Sequence, residues 1–535
     1  MPRLARWAVV FFEIVVVTGL VLAARCANYQ EVFVAGNVYF TDADCYARMT
    51  RVRLCAEHPG LIVRHHQFEN FPAGTTPHTT APLDYLILAL SILLTPFGAH
   101  ALDLAGALIS PLLALLGGWF LWWWSRQMEF RFRWTLLFLY AISPILVHGG
   151  ELGRPDHQSL SILLVAIALC AEWNLRIEGS RNWSVVGGLG WAVAIWVSAY
   201  EPLVLLLVLL LLALFRREDR LATFGSQRRV GWIVFAAVLV VALVVERRVP
   251  SFSIFFGHNP IFRNWSGAIG ELVHVPPFNP IWFCWIGYMI IVAPILAWLS
   301  WKKSKRSSKS TSVGAWRNAW FLLVLLGATY LLTVWQARWA YFFAMIFAVA
   351  LPFLLEPIKS RAAVWLAFGL SILPVLRDWD ERLWPNELEQ ARRLEQRNES
   401  AQLRALASNL SSQETRPFLA PWWLSPAIAY WSAQPGVAGS SHESFAGVVD
   451  SARFFLADDW QIAREILAKD KVEWVLAFDA ERVAENSAAI LGLSSGRRTP
   501  AVCFALDRTP GRAPPFLSFA AQNGTGKLYR VVSNR

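Results

Sequence analysis

The run LDYLILALSILLTPFG, residues 83–98, decides how this chain is arranged. It is apolar, but it carries Asp84 and Pro96 and falls short of the roughly 20 residues a helix needs to cross a hydrocarbon core. If it crosses, every later segment changes side. If it lies along the interface, the sidedness follows the arginines. The surrounding chain has 535 residues, 56% of them hydrophobic and 16% charged, with 28 Trp and 34 Phe. That composition excludes a soluble globule and predicts a polytopic α-helical membrane protein.

Apolar runs mark candidate spans near 7–24, 101–124, 134–149, 159–175, 183–199, 201–215, 230–246, 281–301, 316–335, 339–356 and 361–376. The first follows MPRLAR and ends without a small-x-small cleavage site, so it is expected to be retained. Arg3 and Arg6 predict a cytoplasmic N-terminus. With 83–98 along the interface, four basic clusters fall in cytoplasmic loops: Arg126, Arg131 and Arg133; Arg176 and Arg181; Arg216 to Arg229; and Lys302 to Lys309. Lys359 and Arg361 join them. Counting 83–98 as a span would put them all outside, against the positive-inside rule. Eleven spans and one juxtamembrane helix are therefore expected.

This parity leaves 25–100, 150–158 and 247–280 as external loops, with tight external turns at Tyr200–Glu201 and Gln336–Arg338. Residues 1–376 form the transmembrane domain, and 377–535 form an external, periplasmic α/β domain. In the latter, a polar helix near 385–410 and the helical DDWQIAREILAKD accompany strands predicted at VEWVLAF, AVCFAL and KLYRVV. The net charge of +11 resides mostly in short loops, where it sets topology, so no nucleic-acid partner is expected. Cys26, Cys45, Cys55, Cys170, Cys284 and Cys503 have no metal-type spacing. Cys45 and Cys55 are either a pair in an exported loop or free thiols. His58, His65, His66 and His78 lack HxxxH spacing, and no metal cluster is expected among them.

The external face gathers a sparse set of charges. The stretch TDADCYARMTRVR (41–53) brings Asp42 and Asp44, HGGELGRPDHQSL brings Glu151 and Asp156, and NWSGAIGELVHVPP brings Glu271. Ionisable groups at the mouths of membrane helices are costly and need a reason. An aspartate there is often a helix cap or an interface residue. Three carboxylates from separate loops would also make a hard-oxygen site for Mg²⁺ or Mn²⁺, suited to a phosphate leaving group. Arg338, in VWQARWAYF, either snorkels to headgroups or holds that phosphate through its fork of donors.

In chain order, these pieces resemble the catalytic subunit of the oligosaccharyltransferases, the bacterial and archaeal single-subunit type-C glycosyltransferases and their eukaryotic counterpart. DCYARMTR is similar to the first-loop acidic motif, GRPDHQSL to the second, and GAIGE to the late-loop glutamate motif. ARWAYF resembles the arginine segment that meets the carrier phosphate, and APWWLSPAIAYW the Trp-Trp-Asp segment of the soluble domain. The resemblance implies Asp44 and Glu271 as catalytic residues and Asp44, Asp156 and Glu271 as ligands of Mg²⁺ or Mn²⁺. It implies Arg338 as the carrier-phosphate residue, and Trp422 and Trp423 at the acceptor entrance.

The implied activity moves a glycan, with inversion, from a polyprenyl phosphate or pyrophosphate carrier to a protein, peptide or lipid acceptor. It would be carried out by a single subunit of the plasma (inner) membrane in contact with membrane lipids. Three positions depart from the pattern: Leu424 replaces the aspartate after the tryptophan pair, Gln158 replaces the second acid of the middle motif, and Gly267 or Ala268 replaces the threonine before the glutamate. Leucine accepts no hydrogen bond. A type-C transferase moving one sugar from polyprenyl monophosphate to a lipid or surface polysaccharide is the alternative. A glycolipid carrier or flippase ranks behind both, because the spans hold almost no charge.

Overall fold

A computed structural model describes residues 3–248, 259–306, 311–493 and 502–532. Lys309 of the basic loop and residues 249–258 of the late external loop lie outside the described residues. The chain divides into two compact units. One comprises Met1–Tyr29, Leu108–Arg247 and His274–Asn386, the other Gln30–Ala107, Arg248–Val273 and Glu387–Arg535.

Among the described residues, five helices are long and apolar enough to cross a membrane: Trp7–Arg25, Ala101–Gln127, His157–Glu178, Asp219–Glu246 and Ala337–Leu355. A sixth candidate is the pair Arg361–Ser371 and Leu373–Leu383, bent by 46°. The chain is thus an integral membrane protein with several apolar spans, and shorter apolar helices lie at Arg133–Ile142, Tyr200–Phe215, Met289–Ser300 and Trp320–Trp335.

Two predicted spans are broken, each for a local reason. Residues 134–149 form Arg133–Ile142 and Pro144–His148, because Pro144 has no N–H to donate and forces Ser143 out of the helical region. Residues 281–301 form Ile281–Ile286 and Met289–Arg306 around Gly287, whose φ of +77° suits glycine. A Cβ on Gly287 would sit 2.5 Å from the Ser371 carbonyl, and the Ser371 hydroxyl accepts from the Met289 amide at 2.6 Å.

The core of the first unit is the helix Ala340–Leu355, buried along its whole length, as a helix with no polar face must be. Helices Arg181–Val197 and Arg229–Glu246 approach so closely that a Cβ on Gly188 would lie 2.1 Å from the Gly231 carbonyl oxygen. Small residues permit such backbone contact between apolar helices. Arg176 and Arg228, expected in cytoplasmic loops that set topology, are buried on Glu172 at 2.8 and 2.5 Å. Desolvated guanidiniums need such carboxylate partners.

In the second unit, the decisive run 83–98 forms helix Ala81–Leu94 and a 3-10 turn Thr95–Phe97 that ends at Gly98. Asp84 is buried at its start. The C-terminal sheet has four strands. Phe418–Leu419 pairs parallel with Trp474–Ala477, which pairs antiparallel with Gly526–Val531, which in turn pairs with Leu517–Asn523. Helix Glu387–Ala407 packs on this sheet, with the Asn523 amide donating to the Gln402 carbonyl at 3.2 Å.

AVCFAL is not a strand. Val502–Arg508 is a helix that buries Val502, Cys503 and Leu506, an i, i+1, i+4 spacing that six apolar residues can also satisfy. Among the described residues all six cysteines are free. Cys45 and Cys55 lie on one helix, about 15 Å apart along its axis by helical rise, too far to pair.

The end of helix Trp460–Lys469 carries a pH-dependent weakness. Asp470 caps it, is buried, and lies near Asp450. Burial, then Asp450, push its carboxyl up to about 6, and the negative end of the helix dipole acts in the same direction. The folded state therefore holds this proton more tightly than the unfolded state. Its stabilising effect is complete below the ordinary value of 3.8 and is lost as pH rises through about 6. Asp470→Asn is expected to raise stability by about 1–3 kcal/mol at pH 7.5 and to change little at pH 3.5. Thermal unfolding of the detergent-solubilised protein at both pH values checks this.

Candidate active site

The second unit holds Asp44, Glu271, Trp422 and Trp423. Asp44 sits exposed in the first turn of helix Ala43–Glu57, where the positive helix end favours a carboxylate. Its neighbour Asp42 is the N-cap, accepting from the Cys45 amide at 2.9 Å. The rest of the motif is structural. The Tyr46 hydroxyl accepts from the Phe40 amide at 3.1 Å, and the Tyr46 ring meets Trp431 with centroids 5.2 Å apart. Arg48 is buried on Asp84 at 2.6 Å, and Arg53 donates to the Tyr430 carbonyl at 2.6 Å. Helix Ser425–Ser432, which follows the tryptophan pair, thus clamps the helix that presents Asp44.

Glu271 is half-buried in the 3-10 turn Gly270–Leu272, after helix Pro260–Gly267. That segment is anchored by Trp265, fully buried with Val448, Ala452 and Ile490, against which Ile269 and Trp422 also pack. Trp265 and Trp422 meet with centroids 5.9 Å apart, and the Trp422 indole donates to the Asn486 side-chain oxygen at 2.8 Å. Trp423 and Leu424 pack on the core of the C-terminal sheet. Both tryptophans therefore have packing partners in the C-terminal domain. Trp422 also ties the Glu271 segment to the C-terminal domain.

The first unit holds Asp156 and Arg338. Asp156 caps helix His157–Glu178 and is buried. Its Oδ1 accepts from the His157 amide at 2.6 Å and faces His157 Nδ1 at 2.7 Å. Arg154 reaches within 4.0 Å of Oδ2 and contacts His148 Nε2 at 3.3 Å, while His148 Nδ1 meets the Tyr341 hydroxyl at 2.7 Å. Arg338 lies in a 3-10 turn, Ala337–Trp339, beside the Tyr200 ring, and forms an ion pair with the buried Glu201. A small cleft is lined by His157, Gln158, Ser161, Glu201, Arg338 and Tyr341. The structure thus brings Arg338 to the start of the helix that Asp156 caps.

Sequence reasoning missed Glu201 and His157. The signal for Glu201 was its position, a carboxylate opening an otherwise apolar helix. His157 was visible only as the neighbour of Asp156. Asp44, Asp156 and Glu271 offer carboxylate oxygens alone, a donor set that fits Mg²⁺ or Mn²⁺ and not a thiolate- or imidazole-seeking ion.

No protein-family model matches the sequence, and no curated protein matches it. Solved structures do. The oligosaccharyltransferase of Archaeoglobus fulgidus tethered to an acceptor peptide containing the NVT sequon superposes with a TM-score of 0.63 and 15% identity, over 90% of this chain and 71% of that one. The archaeal oligosaccharyltransferase AglB from Archaeoglobus fulgidus, in complex with an inhibitory peptide and a dolichol-phosphate, gives 0.58 and 15%, over 88% and 71%. ArnT from Cupriavidus metallidurans bound to undecaprenyl phosphate gives 0.53 and 12%, over 99% and 98%. The chain has the type-C glycosyltransferase fold that AglB and ArnT share.

Proposed function

We propose that the protein is a membrane glycosyltransferase of oligosaccharyltransferase type. It transfers a glycan from a polyprenyl phosphate or pyrophosphate to an acceptor at the external face, with inversion at the anomeric carbon. The observation that carries this reading is the joining of three separate sequence motifs in one compact unit: the Asp44 helix, the Glu271 segment and Trp422. The likeness to enzymes solved with dolichol-phosphate and undecaprenyl phosphate supports a lipid-linked donor. So does an apolar cavity of about 1050 Å³ lined by Trp282, Phe283, Trp298, Tyr330 and Phe343, whose surface suits a hydrocarbon chain. Eleven spans, a cytoplasmic N-terminus and an external C-terminal domain belong to the same proposal.

Asp44, Asp156 and Glu271 would hold the divalent ion, which would supply Lewis-acid stabilisation of the departing phosphate. Asp44 and Glu271 hold and polarise the acceptor atom that forms the new bond as the bond from sugar to phosphate breaks. Arg338, oriented by Glu201, binds the carrier phosphate. Trp422 and Trp423 flank the acceptor entrance. The second reading, transfer of one sugar to a lipid or surface polysaccharide, is favoured by Leu424, which cannot accept from a sequon hydroxyl.

Purified protein with Mn²⁺ and labelled polyprenyl-linked glycan, offered Asn-Xaa-Thr peptide or lipid acceptors, separates the two readings. No transfer to either acceptor, with and without Mn²⁺, would sink both. Arg338→Lys is expected to raise KM for the donor about tenfold, since an ammonium cannot reproduce the fork, and to leave KM for the acceptor unchanged. Initial rates at varied donor and acceptor check this.

A further inference from the structure

The second unit carries a cluster that no role above uses. His78, from the first loop, meets His442 and Glu443, from the C-terminal domain. His78 Nδ1 lies 3.0 Å from Glu443 Oε1 and 3.3 Å from Oε2, and His442 Nε2 lies 3.1 Å from Oε1. One ligand atom from each residue falls within 4.8 Å of the other two. We propose that His78, His442 and Glu443 bind one divalent transition-metal ion of the Zn²⁺ class, distinct from the all-carboxylate site.

The donor set is two imidazoles and one carboxylate, which suits zinc and disfavours magnesium. Tetrahedral bonds of about 2.0–2.2 Å place ligand atoms roughly 3.3 Å apart, close to the spacings of 3.0–3.3 Å between each histidine and Glu443. The side chain of His78 is 43% exposed, which leaves the ion an entry path and a position for water.

The segments bearing these residues are held in place. Arg248 donates to the carbonyls of Pro77 and Thr79 on either side of His78. The Ser440 amide donates to the buried Glu69 carboxylate at 3.0 Å, and a Cβ on Gly439 would meet Glu69 Oε1 at 2.6 Å, so this turn packs against that acid. An ion here would fasten the first loop, which also carries Asp44, to the C-terminal domain within this unit.

The test uses the full chain in detergent, stripped with chelator and titrated with Co²⁺ as a spectroscopic substitute for Zn²⁺. The expected result is one equivalent with the intense visible absorption of a four-coordinate complex, displaced by Zn²⁺ and retained in Asp44→Ala. His442→Gln is expected to abolish that absorption, and His78→Gln to weaken binding at least tenfold. Wild-type protein without a stoichiometric Co²⁺ signal, or one equally strong in both variants, overturns the site. Should the variants not fold, X-ray absorption of the Zn²⁺-loaded wild type decides. Two imidazole ligands support the site, and all-oxygen ligation overturns it.

Discussion

Asp44→Asn is expected to lower glycan transfer at least a hundredfold with only a small loss of stability, and Asp42→Ala to lower stability while leaving transfer unchanged. The two acids are two residues apart but differ in their structural work. Asp42 accepts from the Cys45 amide as the helix N-cap, so its loss costs about 1 kcal/mol of stability. Asp44 is exposed in the first helical turn. Its proposed work lies in holding the ion and the acceptor, where removing a positioned charged group typically costs a factor of 10²–10³ in rate. Asparagine keeps the shape and removes the charge. Initial rates with labelled donor, beside melting curves of both variants, check the pair. Equal rates for Asp44→Asn and wild type would remove Asp44 from the chemistry.

The sequence displayed the membrane class plainly, because apolar runs long enough to cross a bilayer need no tertiary information. Helix Ala101–Gln127 lies where its run predicted it. Breaks within runs were harder to see. Ser143–Pro144 had a visible signal in the proline, but Gly287 bends its segment because Ser371, far along the chain, occupies the space a Cβ would need. The helix at Val502–Arg508 was hidden for another reason: a six-residue apolar run satisfies both periods, and the neighbouring core decides.

The candidate site was legible where a charge stood in an apolar context, as for Asp156 and Arg338. It was illegible where function depends on a partner distant in sequence. Glu201 becomes the companion of Arg338 only after folding, and His78 meets Glu443 across 365 residues. The tryptophan pair shows the converse. Its motif suggested an acceptor entrance, and the structure gives both rings packing partners.

Asp84→Ala is expected to lower the protein's stability by about 3–5 kcal/mol, the largest stability effect of any single change considered. Asp84 opens the decisive apolar run and lies buried between two guanidiniums, Arg48 at 2.6 Å and Arg51 at 3.5 Å. Burial pulls the Arg51 guanidinium below its ordinary value, with Asp84 opposing that pull. Removing the carboxylate leaves two buried cations without it, and breaking such a pair costs about 3–5 kcal/mol. That is a large share of a typical stability of about 5–15 kcal/mol. Arg48 and Arg51 lie on the helix that presents Asp44, so residual folded protein should also lose transfer activity. Replacing all three groups together by apolar residues of similar volume (Asp84→Leu, Arg48→Met and Arg51→Met) should recover part of that stability, because neither guanidinium is then left buried without its carboxylate. Thermal unfolding and size-exclusion profiles of the single and triple variants decide it. A single variant as stable as wild type would mean that the buried pair does not hold this helix.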